Sequence, residues 1–94
     1  MNVKVMRTNI GEEVIFTLIN EDENTLEIEN ALVAVPNAQG SIGFGAWSYL
    51  QKKDTTISVN KQFIVYVIDA NEEVVENYEK IFSPIQTPSK SLIL

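Results

Sequence analysis

A chain of 94 residues with no histidine and no cysteine must build any chemistry from carboxylates, hydroxyls and amines. The commonest general base and the most reactive nucleophile are missing, and so are thiolate zinc sites and disulfides. Thirteen Asp and Glu side chains remain, and all of them find a place in turns or on solvated faces. Asp69-x-Asn71-x-Glu73 imitates the start of a calcium loop. Its sixth position is Val74 where Gly is needed, and its twelfth is Lys80 where a bidentate Glu is needed. The same residues suit a helix start better. Glu21-Asp22-Glu23 would attract a cation weakly, and a charge run of this kind reads as a solvated turn. No catalytic residue, metal or cofactor is expected, and the chain reads as non-enzymatic.

GSIGFGAWSYL, residues 40–50, is the other stretch that invites a chemical reading. Gly40, Gly43 and Gly45 form GxxGxG, which is no Walker loop because no Gly-Lys-Ser/Thr follows. A dinucleotide fingerprint is excluded as well, since aromatic and β-prone residues follow instead of an amphipathic helix. As a strand the segment makes sense. Ile42, Phe44, Ala46, Ser48 and Leu50 fall on one face, and Gly43, Gly45, Trp47 and Tyr49 on the other. Glycines within a strand mark a bend, a bulge or a close backbone approach. Trp47 and Tyr49 then belong to the core, to a subunit contact or to a stacking surface for bases. Base stacking wants positive charge nearby, and only Lys52 and Lys53 supply it. Aromatic residues favour subunit contacts, so a contact with a neighbouring subunit is the expectation.

Seven basic side chains against thirteen acidic ones give a net charge of −6. Affinity for nucleic acid comes largely from Lys and Arg that release counterions, so a broad phosphate-binding face is disfavoured. The length implies one domain, and 45% hydrophobic residues match a globular chain. No apolar run approaches the roughly 20 residues of a membrane helix, and no signal peptide precedes the first strand pattern. A cytoplasmic protein without a membrane partner is expected.

The elements that must position these residues are mostly strands. Residues 2–8 alternate, with Val3, Val5 and Arg7 on one face and Lys4, Met6 and Thr8 on the other. Asn9-Ile10-Gly11 marks a turn. Residues 13–19 carry Val14, Phe16 and Leu18 in register. The charged turn Glu21-Asp22-Glu23-Asn24 leads into residues 25–35, where Leu26 and Ile28 point inward while Glu27 and Glu29 face water. After Asn30 both faces are apolar, as for a strand covered on both sides, and Pro36 ends it or marks a free edge. Residues 56–69 supply one or two further strands, with a tight turn at Asn60-Lys61. About five strands with short turns make a small barrel or sandwich. The period then changes. Asp69 and Asn71 are N-cap candidates, and Asp69-Ala70-Asn71-Glu72 fits a capping box. Val74, Tyr78, Ile81 and Phe82 form one helical stripe beside Val75. Ser83-Pro84 stops the helix. Leu92, Ile93 and Leu94 are expected to pack on a core or on a neighbouring subunit.

IGEEVIFTLINEDENTLEIENALVAVP, GFGAWSYL and IVYVIDANEEVVENYEKIF together resemble a small family of proteins from T4-like cyanophages and marine metagenomic DNA. Gly11-x-x-Val14 followed by Leu18 resembles the start of the Sm1 motif, and Leu26 to Ala31 its end. Val59 to Val67 falls where the Sm2 motif would lie. The resemblance implies a mainly β, Sm-like (LSm) domain: a small, strongly bent, five-stranded antiparallel barrel over about residues 2–69. A C-terminal helix over about 71–82 and a tail over 83–94 follow. It further implies a homo-oligomeric ring of roughly five to seven subunits in the host cytoplasm, with a phage or host protein as a further partner. Thr25 stands where RNA-binding Sm proteins carry Asn, and Asn60-Lys61 where they carry Arg-Gly. An RNA-binding ring of the Sm/Hfq type is therefore the alternative, with Asn24, Thr25, Asn60 and Lys61 as the contacts to test. The subunit contacts expected are Trp47, Tyr49, Phe63, Val65 and Val67, on the late strand and the strand containing Trp47.

Overall fold

The computed structural model describes residues 2–36 and 38–82. The expected packing of Leu92, Ile93 and Leu94 falls outside the described residues. Strands β1 (Val3–Thr8) and β2 (Glu13–Glu21) form a hairpin. Gly11 closes its turn with φ +92°, in the left-handed region open to glycine, and donates its N–H to the Thr8 carbonyl at 2.9 Å. The next turn is held by Asp22, whose carboxylate accepts the N–H groups of Asn24 and Thr25, each at 2.8 Å. This is the local bond that makes Asp a turn residue.

β3 (Thr25–Pro36) is the longest strand and serves two partners along one edge. Its first part, Thr25 to Ile28, pairs with β5 (Ile57–Asn60), and its second part, Leu32 to Pro36, pairs with β4 (Ile42–Ala46). Between the two, the ladder advances from Leu32 to Glu29 while β2 advances only from Ile15 to Thr17. The surplus residue makes a bulge that bends the strand. Asn30 sits inside it at φ +55°, a conformation that asparagine tolerates better than most residues. β6 (Ile64–Asp69) pairs with β1, which gives one antiparallel sheet in the order β4-β3-β2-β1-β6 with β5 beside β3.

Six strands thus stand where five were expected, and the sheet is not closed into a barrel. Among the described residues no ladder joins β5 to β6. They are linked by a 3-10 turn over Lys61–Phe63. The sixth strand arises because residues 57–69 divide into β5 and β6 around the 3-10 turn, the two-strand form of the one or two expected there. The glycine-rich segment itself leaves β3 after Ala46. The expected strand face therefore stops short of Ser48 and Leu50. Gly43 and Gly45 keep ordinary extended backbone, and it is Gly40, before the strand, that takes positive φ. The turn nevertheless forces the sheet to curl. In a flat sheet β5 and β6 would lie about 19 Å apart, four strand spacings. The step from Asn60 to Ile64 reaches at most about 14 Å.

Curling gives the sheet two buried faces. Inside lie Met6, Val14, Phe16, Leu26, Ile28, Ala31 and Val59, with Trp47 and Phe63 against them. On the outer face, Val3 and Ile15 pack under α1 (Glu72–Phe82) through Val74, Val75, Tyr78 and Phe82. This explains why β1 and β2 bury alternate residues on both sides. Asn71 is the N-cap, its side-chain oxygen accepting the Val74 N–H at 2.9 Å. Asp69 is not part of a capping box; it ends β6 and pairs with Lys4. Ile81, expected on the buried stripe, is exposed, because the helix presents Tyr78 and Phe82 to the sheet instead.

Tyr78 has no exposed surface and anchors the helix. Its hydroxyl lies 2.9 Å from the Thr17 hydroxyl and donates to the Asn30 carbonyl at 2.9 Å, directly at the bulge. Burial raises its pKa to about 12, against the hydrogen bond from Thr17, which lowers it. Tyr78→Phe is expected to destabilise the fold by about 1–3 kcal/mol in urea unfolding, because buried polar groups lose their partner. The folded pKa lies above the unfolded value of about 10. The tyrosine's contribution is thus complete below pH 10 and disappears as pH rises towards 12. The alkaline loss of stability should be shallower in Tyr78→Phe.

Candidate functional site

The four residues singled out as nucleic-acid contacts come together at one end of the sheet. Thr25 and Asn60 are directly opposed in the β3–β5 ladder. The Lys61 N–H donates to the Asn24 carbonyl at 2.8 Å. What surrounds them differs from what base recognition needs. Asn60 turns its side-chain oxygen to the Gln62 N–H at 2.9 Å and so caps the 3-10 turn. Lys61 meets the Glu21 carboxylate at 2.8 Å. A small cavity of about 170 Å³ beside them is lined by Glu21, Asp22 and Glu27 along with Thr25. A phosphate arriving here would meet carboxylates while the lysine already has an ionic partner. The sequence shows the lysine but not its pairing, because Glu21 and Lys61 are brought together only by the β3–β5 ladder.

The opposite edge of the sheet is of another kind. β6 is attached through its ladder to β1, and its other edge pairs with no described strand. From Val65 to Asp69 every residue of it is exposed. Val65 keeps 62% and Val67 41% of their surface in solvent, and Tyr66 and Ile68 are open on the other face. An edge strand that is apolar on both faces and unpaired along its backbone is a template for another strand. Native edges are usually blunted by charge or proline, and β6 carries neither before Asp69. Phe63, just ahead of it, behaves differently. It is half-buried against the inner core, and its carbonyl accepts the Asn9 N–H at 2.8 Å.

The two aromatic residues of the glycine-rich segment separate. Trp47 packs against the inner core of its own chain, its indole N–H donating to Glu12 at 3.1 Å. Its backbone N–H reaches the Ala31 carbonyl at 3.1 Å. Tyr49 is 84% exposed, and Leu50 beside it is 98% exposed. Leu50 was not singled out by the sequence, where strand alternation placed it on the face of Phe44. Lys52 and Lys53 follow in the same exposed loop, which is tied by Gln51 donating to the Thr55 carbonyl at 2.9 Å.

Among the described residues no three His, Cys, Asp or Glu side chains gather as a metal-holding group. No helix among them is long and apolar enough to cross a membrane. The edge of β6 combines an unpaired backbone, among the described strands, with exposed apolar side chains on both faces.

The acidic turn beside Lys61 yields a test of its own. The N–H groups of Asn24 and Thr25 hold the Asp22 carboxyl below the usual carboxylate range. Its folded pKa is thus lower than the unfolded value. The stability it contributes is present above about pH 4 and is lost as pH falls through the folded value. Asp22→Asn keeps an acceptor for both N–H groups but cannot titrate, so its acid unfolding curve should be shallower than that of the parent. No family model and no curated protein matches this chain, so its function has to be argued from its own geometry.

Proposed function

We propose that the chain is a non-enzymatic subunit of a homomeric ring, Sm-like in its strand order, that serves as a structural or protein-interaction module. The observation that carries this reading is β6, a strand with an unpaired edge and apolar side chains exposed on both faces. The chain also offers receiving edges, since among the described residues β4 and β5 each pair on one side only, with β3. Addition of β6 to such an edge of the next copy is a head-to-tail contact. Repeated contacts of that kind close into a ring when the rotation per subunit permits. Burying the faces of Val65 and Val67 in this way adds apolar burial that a domain of this size is short of by itself. The acidic net charge and the Lys61–Glu21 pair favour a protein partner over RNA, and the phage origin rests on the resemblance alone.

Light scattering at micromolar concentration should give a mass several times 10.6 kDa. Val65→Lys combined with Val67→Lys should shift the protein to monomer without unfolding it, since both side chains are solvent-facing in the subunit. A parent chain that stays monomeric at high concentration sinks the ring. Titration with oligo-U and oligo-A at low salt tests the RNA alternative. Micromolar binding that weakens steeply with salt and disappears in Lys61→Ala would replace the protein-module reading.

A further inference from the structure

α1 covers only part of the outer face of the sheet. Beside it runs an open groove of about 490 Å³. Val5, Ile15 and Ala34 form its floor, Ile42 and Phe44 of β4 form one wall, and Val74 of α1 forms the other. Glu73 and Asn77 on the helix and Glu13 on β2 rim it, and among the described residues no basic side chain lines it. Glu13 already has Arg7 at 3.8 Å, which leaves Glu73 as the rim carboxylate without a cation in the lining. The groove crosses four strands, from β1 to β4. It calls for a segment with apolar side chains and one cation.

The chain itself carries such a segment: Lys90-Ser91-Leu92-Ile93-Leu94. In an extended segment Lys90, Leu92 and Leu94 share one face, which sets one cation beside two apolar anchors. The reach is sufficient. Going back along α1 from Phe82 to Val74 covers about 12 Å, whereas ten extended residues after Phe82 span up to about 33 Å. We propose that this groove is the docking site of the chain's own residues 90–94, with Leu92 and Leu94 directed to its apolar floor and Lys90 to Glu73. Docking of this kind completes the cover of the outer face. It is independent of ring formation, which uses the edge of β6.

A chain without cysteine permits a clean test in the full-length protein. Disulfides form only when the two Cα atoms approach within about 7 Å. Asn77→Cys on the exposed rim is combined with Ser91→Cys, and a control pairs Asn20→Cys, at the far end of β2, with Ser91→Cys. Under mild oxidation the rim pair should cross-link within one chain at least about tenfold faster than the control, read by the shifted mobility of the monomer band on a non-reducing gel. Lys90→Glu should slow that cross-link severalfold at low salt, and Ile42→Asp should suppress it. Ile42 is 64% exposed, so this variant keeps the fold. Equal rates for the rim and control pairs would overturn the proposal. A cross-link joining two chains would also overturn it and assign the groove to a second copy.

Discussion

Three residues, Lys61 to Phe63, have to carry the chain from a strand paired with β3 to a strand paired with β1. A turn that short cannot pass over a flat sheet, and the other features of the fold answer that constraint. β3 bends at Asn30, between the stretch of its edge that holds β5 and the stretch that holds β4. The turn is pinned at both ends, by the Asn24 carbonyl on one side and the Asn9 N–H on the other. Curling then creates an inside, and Phe16, Met6 and Ile28 fill it without any exposed surface. Burial of side chains this large is worth about 1.5–3 kcal/mol each, enough to outweigh the distortion at one bulge.

The curl also decides what happens outside. A convex apolar face needs a cover, and α1 supplies it over β1, β2 and part of β3. Tyr78 couples the two layers because its hydroxyl reaches the carbonyl at the bulge, a backbone group that ladder pairing leaves available. The same residue therefore fixes the helix and the bend of β3. The edge strand β6 lies beyond the cover on both faces. Its exposure follows from the position and length of the helix, not from an unusual composition of the strand.

Much of this was legible in the residues. The alternation in β1 and β2, the turns at Gly11 and Asp22, and the helix led by Asn71 all follow from local periodicity and turn chemistry. What escaped was the fate of residues whose partners are distant in sequence. The sequence left Trp47 between core, subunit contact and stacking surface, because Glu12, which receives its indole N–H, lies 35 residues away. Lys61 stood only as a contact to test in the RNA alternative, and its pairing with Glu21 is invisible until β5 is placed on β3. Asp69 looked like a cap because nothing local reveals that Lys4 draws it into the sheet. Residues 56–69 read as one or two strands, and only the pairing of β5 with β3 and of β6 with β1 separates them. The glycine-rich segment, whose strand alternation runs on to Leu50, pairs with β3 over five residues only.

The pairing of β1 with β6 has a kinetic side. Lys4 is opposite Asp69, so this ladder joins segments 65 residues apart. The β1–β2 and β2–β3 hairpins close over a few residues each. Loop-closure entropy rises with length, and non-local pairings slow folding. The order of assembly is then written into the topology: hairpins first, β5 next, and β6 with its helix at the end. Substitutions in β1–β3 should show high φ-values and those in β6 values near zero; the reverse ranking would refute this order. The strand with the most apolar surface left in solvent is thus also the last to join its own sheet, and until then it stays open to pairing with another chain.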